Sequence, residues 1–182
     1  MGPPVSSFHE SNAQSRTSNS AITRLPDTLS FEDGALLEPL AVAVHACRRA
    51  QIKEGSSCTV MGAGAIGLLC AVTARMEGCE KIAIVDIASE RVRFALDNGF
   101  ADLGYVVEAG EAKDLEESLS IAKSISSSVE KLTTVDGQML GKTDYTFECT
   151  GVPTCLQASI YVSVQEDRQF PPNETDSSIT GH

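Results

Sequence analysis

Apolar positions along this chain come in short runs separated by glycine, and the runs alternate between the period of a strand and that of a helix. Residues 58–61 (Cys-Thr-Val-Met) read as a short buried strand. A helix is expected over 65–77, with Leu68, Leu69, Val72 and Met76 as its buried face and Gly78 as its stop. A second strand is expected at 81–86, then a helix over 88–98 with Val92, Phe94, Ala95 and Leu96 as packing residues. A third strand is expected at 103–107. Over 112–132 Leu115, Leu119, Ala122, Ile125, Val129 and Leu132 recur at helical steps and predict an amphipathic helix. A fourth strand at 144–149 and a helix over 154–162 complete the pattern.

Strands that alternate with helices imply a parallel sheet covered on both faces. The fold class predicted is α/β, an incomplete doubly wound (Rossmann) sheet of strand order 3-2-1-4. Ahead of it, Ser30 to Asp33 has capping-box spacing, and the apolar run 34–50 reads as a helix that Pro39 should kink or divide. The polar, Ser- and Pro-rich ends 1–24 and 163–182 read as disordered. The remaining divisions are 25–57, a helical segment before the sheet, and 58–162, the sheet domain.

The break between the first strand and its helix carries the chemistry. Gly62, Gly64 and Gly67 fall as G-x-G-x-x-G. Gly62 permits the tight turn, Gly64 lets the backbone approach a pyrophosphate, and Gly67 lets the helix lie close on the strand. The N–H groups at the helix start, from Ala65, Ile66 and Gly67, have no partner inside the helix and favour an anion. Asp86 ends the second strand about 20 residues further on, where an acid can accept hydrogen bonds from a ribose. Ligands in such sheets bind outside the carboxyl ends of the strands, which brings Cys149, Thr150 and Gly151 to the same crevice. Glu38 is a lone acid in an apolar stretch; read from the residues alone, it is a partly exposed side chain.

Composition narrows the choice of partners. The chain has 182 residues, 42% of them hydrophobic, and a net charge of −11. That charge argues against nucleic acid or an anionic membrane as partner. No apolar run approaches the ~20 residues of a membrane span. The six cysteines form no Cys-x-x-Cys pair, and three lie in apolar runs, so reduced thiols and a cytoplasmic setting are expected.

The stretch 25–161 resembles the zinc-dependent medium-chain alcohol and polyol dehydrogenases of sorbitol and xylitol dehydrogenase type. The resemblance is carried by Leu25-Pro26, the run 31–40 with Glu38-Pro39, Val44-His45-Ala46, the glycines, Asp86 with Arg91, and Phe147-Glu-Cys-Thr-Gly151. Ala65 stands where the family usually has proline. The resemblance implies NAD and zinc as cofactors. It implies that Glu38 lies at the catalytic zinc or its water, that Asp86 holds the adenosine ribose, and that Arg91 lies on the adenine side. A carboxylate about 4 Å from one charge of a 2′-phosphate costs roughly 4 kcal/mol at an effective dielectric of ~20, which disfavours NADP. The implied activity is oxidation of a secondary alcohol of a small polyol to a ketone. Most of the family's catalytic domain has no counterpart here; His9-Glu10 resembles a remnant of its zinc motif. The alternative is a non-catalytic NAD-binding remnant, a shortened product of a longer coding sequence. An open edge at the fourth strand leaves two further partners, a second copy and a full-length homologue.

Overall fold

A computed structural model describes residues 24–108, 110 and 112–163. The chain divides into two units, Met1–Leu37 and Glu38–His182. The ends read as disordered lie outside the described residues, apart from Arg24 and Ser163.

Helix α1 (Phe31–Ala50) begins in the first unit. Ser30 caps it reciprocally: the Asp33 N–H donates to Ser30 Oγ at 3.1 Å, and the Ser30 N–H donates to Asp33 Oδ2 at 3.0 Å. This is the expected capping box, with Asp in place of the usual Glu. Leu25 lies over Gly34, where an added Cβ would meet Leu25 Cδ1 at 2.6 Å. Pro39 does not divide the element, which is one helix of 20 residues with the proline inside it.

The second unit is built on four parallel strands: β1 (Ser56–Met61), β2 (Cys79–Asp86), β3 (Leu103–Val106) and β4 (Tyr145–Glu148). Their order is β3-β2-β1-β4, as the pattern predicted. Side chains alternate across the sheet, as the pleat requires. Cys58, Val60, Ile82 and Ile84 join one core with residues of α2 (Ala65–Met76) and α3 (Ser89–Asp97). Met61, Ala83 and Val85 join a second with α4 (Leu115–Glu130) and α5 (Pro153–Val162). Ala43 and Cys47, from the part of α1 after Leu37, pack in the first core. The central strands β1 and β2 are thus buried on both faces, which is why they read as continuous apolar runs.

The helix faces differ from expectation. In α2 the buried residues are Gly67, Cys70, Ala71, Thr73 and Ala74, while Met76 is 84% exposed. In α3 Val92 and Ala95 are buried but Phe94 and Leu96 are exposed, and Leu115 at the start of α4 is exposed too. Small side chains let these helices sit close to the sheet, and the larger ones lie at the flanks or outside. Asp114 caps α4, its Oδ1 accepting from the Glu117 N–H at 2.8 Å.

A dinucleotide-type crevice at the carboxyl ends of the strands

The sheet ends in a glycine corner. Gly62 leaves β1 at φ +102°, a conformation that L side chains rarely adopt, and its N–H donates to the Val85 carbonyl at 2.7 Å. A Cβ on Gly67 would lie 1.8 Å from the Gly62 carbonyl oxygen, so α2 can rest on the turn only with hydrogen at this position. Gly64 has nothing within 4 Å of where its Cβ would stand. It is the N-cap of α2 and contributes no side-chain cap, so the helix's first N–H groups open into free space. The turn at Gly62 and the close packing at Gly67 are as their spacing predicted, and Gly64 faces open space.

Asp86 closes the corner from β2. Its Oδ2 accepts from the Ala63 N–H at 2.7 Å and its Oδ1 from the Ala88 N–H at 2.9 Å. The side chain is only 9% exposed, yet it borders the crevice. Each carboxylate oxygen has further lone pairs, so the acid can grip the turn and still accept from a sugar hydroxyl.

The third wall follows β4. The Cys149 N–H donates to the Met61 carbonyl at 2.8 Å, which carries the ladder one residue past the strand. Glu148 then organises the turn. Its Oε1 accepts from the Thr150 N–H at 2.8 Å and from the Thr150 hydroxyl, and its Oε2 accepts from the Gly151 N–H at 3.0 Å. The Thr150 hydroxyl in turn accepts from the Val152 N–H at 3.0 Å. Sequence reasoning missed Glu148, although an acid just ahead of a Thr-Gly pair is a local capping signal.

Between these walls lies a crevice of about 330 Å³. Gly62, Gly64, Asp86, Arg91, Cys149 and Thr150 line it, six of the residues singled out in advance. Val85, Ile87, Val107, Ile121, Ile125 and Val152 give it an apolar wall, and Glu108 adds a second acid. The sequence marks Val85, Val107 and Ile125 as strand or helix core, but only tertiary packing brings these residues to one wall. Ala65 lines instead a shallower neighbouring groove with Leu68 and Phe94, which shares Gly64 and Arg91 with the crevice. Ile66 is half-buried against the core and Gly67 is buried beneath the turn; both shape the crevice from behind. Gly151 adopts φ +71° in the Glu148 turn.

Thiols pack behind the corner. A hydrogen bond between the Cys70 and Cys149 thiols holds Cys70 below the usual thiol range and pushes Cys149 well above it, helped by burial. Burial pushes the Cys47 thiol up to about 12, with neighbouring thiols adding to the effect. All six cysteines are free.

A nicotinamide dinucleotide fits these features: donors face open space at the helix start, an acid stands at the end of β2, and an apolar wall can take a base. Zinc does not. Glu38 is exposed in α1 and borders neither opening, and among the described residues no three His, Cys, Asp or Glu side chains are grouped to hold a metal ion. A catalytic zinc needs three protein ligands.

Fold and crevice together define a Rossmann-type dehydrogenase nucleotide domain. No family model matches the chain. It is 38% identical over 140 residues to a sorbitol dehydrogenase of Ovis aries, an alignment covering 77% of this chain and 35% of that protein. It is 34% identical over 167 residues to a D-xylulose reductase of Saccharomyces cerevisiae, covering 86% of this chain and 43% of that protein. Among solved structures, it is similar to a 2R,3R-butanediol dehydrogenase of Bacillus subtilis, with TM-score 0.53 and 32% identity over 78% of this chain and 35% of that one. A zinc-binding dehydrogenase of Sinorhizobium meliloti, solved bound to NADP, matches at TM-score 0.59 and 27% identity over 78% and 36%. The chain belongs to the medium-chain polyol dehydrogenase family, and it spans about a third of the length of most of these relatives. Among the described residues no helix is long and apolar enough to cross a membrane.

Proposed function

We propose that this chain is the dinucleotide-binding part of an NAD-dependent, zinc-type polyol dehydrogenase that oxidises a secondary alcohol to a ketone. The observation that carries the reading is the junction at Ala63, whose N–H donates to Asp86 at 2.7 Å between two of the three glycines. It ties the phosphate-type turn to the sugar-type acid. The residues that hold the cofactor are Gly62, Gly64, Ala65, Ile66 and Gly67 at the diphosphate, Asp86 at the adenosine ribose, Arg91 beside it, and Cys149, Thr150 and Gly151 on the β4 side. Bound NAD supplies the hydride acceptor. The chain's own residues bind and orient it, and the apolar wall excludes water from the base.

Glu38 is proposed as a group that meets the catalytic zinc or its water in an assembly that supplies the missing ligands. No step is derived through zinc, since the described residues do not form its site. The partners proposed are a dinucleotide and a small polyol, in a cytoplasmic setting.

A second reading rests on the open edge of the sheet: a non-catalytic NAD-binding chain that pairs with a second copy or with a full-length homologue. Among the described residues β4 is an edge of the sheet, and such an edge can accept another strand.

Calorimetry with NAD, beside an assay of sorbitol and xylitol oxidation in zinc-containing buffer, separates the readings. Binding with turnover supports the first and binding without turnover the second. A folded sample that binds no NAD overturns both. Asp86→Ala should weaken NAD at least about tenfold, the scale of a lost charge-assisted hydrogen bond.

A further inference from the structure

Among the described residues the crevice holds two acids, and only one has a structural duty. Asp86 is buried, and both of its carboxylate oxygens already accept backbone N–H groups, from Ala63 and Ala88. Glu108 is exposed and makes no hydrogen bond or ion pair to any described residue. It stands at the same end of the sheet. Val106 pairs with Asp86 in register, and the Val107 N–H donates to the Asp86 carbonyl at 2.9 Å. The ladder therefore runs on past β3 and delivers Glu108 beside the mouth that Asp86 closes. Among the described residues the only cation on this wall is Arg91, and it is ion-paired with neither acid. Two carboxylates against one guanidinium leave the wall net negative.

We propose that Glu108 is a specificity-determining residue, a second negative charge that rejects dinucleotides bearing an extra phosphate on the adenosine ribose. This rests on the reading of the crevice as a nicotinamide dinucleotide site. Asp86 keeps its negative charge while it accepts two neutral N–H donors, and Glu108 adds a second charge on the same wall. Glu108 has no such partners, so its charge is free to act on the ligand. Both acids line the one crevice, and at physiological salt the Debye length is ~8 Å, so repulsion of a phosphate held within that range is only partly screened. A neutral ribose hydroxyl feels little of that field, whereas a phosphate near charge −2 feels it fully.

The test compares NAD with NADP, and 5′-ADP with 2′,5′-ADP, by calorimetry on the full chain at low and high salt. The variants are Glu108→Gln and Asp86→Asn. Glu108→Gln keeps size and removes charge at an exposed position, so the fold should be untouched by circular dichroism. It should move the ratio of NADP to NAD affinity about fivefold toward NADP, the scale of Coulomb repulsion at roughly 8 Å in a near-aqueous dielectric. The shift should recur with 2′,5′-ADP against 5′-ADP and shrink at high salt. Asp86→Asn should weaken all four ligands, because it also disturbs the turn. An unchanged ratio in Glu108→Gln, with NAD still bound by the wild type, overturns this proposal and leaves the dinucleotide reading standing. A wild-type chain that binds none of the four removes the dinucleotide reading itself, and this proposal with it.

Discussion

A Cβ placed on Gly67 would stand 1.8 Å from backbone oxygen, and one placed on Gly64 would meet nothing within 4 Å. Two alanines in one motif should therefore behave in opposite ways. Gly67→Ala must push α2 off the turn and should lower stability by more than about 2 kcal/mol in urea unfolding. Gly64 has an ordinary φ of −78°, so Gly64→Ala should stay within about 0.5 kcal/mol of the wild type. It should instead weaken NAD in calorimetry, since the new methyl stands where a phosphate would come close. Cys47 gives a pH-dependent prediction. Its folded pKa, raised to about 12 from 9.0, lies above the unfolded value. Its contribution is therefore fully present below pH ~9 and is lost as pH rises toward 12, by up to about 1.4 kcal/mol per pH unit. Cys47→Ala should make the alkaline fall in unfolding free energy between pH 9 and 11 shallower. An unchanged slope would mean that burial does not hold this thiol protonated.

At the scale of an element, the caps were readable and the packing faces only in part: Val92, Ala95, Ala122, Ile125 and Val129 are buried as expected. Ser30 with Asp33 stands out in the sequence because capping acts over three residues. Asp114 is a comparable device, bonded to the Glu117 N–H, while Glu117 Oε2 accepts from the Lys113 N–H at 2.7 Å. Asp114→Ala should lower the urea midpoint by the equivalent of about 1 kcal/mol with the slope unchanged. In α2 and α3, Leu68 and Leu69 pack against the core and Val92 and Ala95 within it, while the departures share a reason. Periodicity weights large apolar residues, but a helix lying close on a parallel sheet buries Ala, Gly, Cys and Thr. The large residues Met76, Phe94 and Leu96 end outside. Pro39 is a further case: of the two outcomes its local rule allows, a division of the helix does not occur, and the element runs through.

For the whole molecule, the relation to the polyol dehydrogenases sets what the chain can do by itself. It carries the glycine corner closed by Asp86, and its described residues assemble no zinc ligand set. Ligand linkage offers a measure of the first. NAD at about a hundred times its dissociation constant should add roughly 2.7 kcal/mol to the unfolding free energy of the wild type. The same NAD concentration should add far less to Asp86→Ala. A melting curve indifferent to NAD in both would count against the proposed site.

The sequence by itself determined strand order, the glycine corner and the acid at the end of β2. Each depends on spacing within one β-α-β unit, and backbone sterics at a tight turn leave few residue choices. Only the tertiary structure decided that Glu148 ties the turn after β4, that Glu108 shares a wall with Asp86, and that Glu38 stands apart from both. Those placements come from how separate elements pack on the two faces of the sheet, and contact between distant segments leaves no period in a single chain.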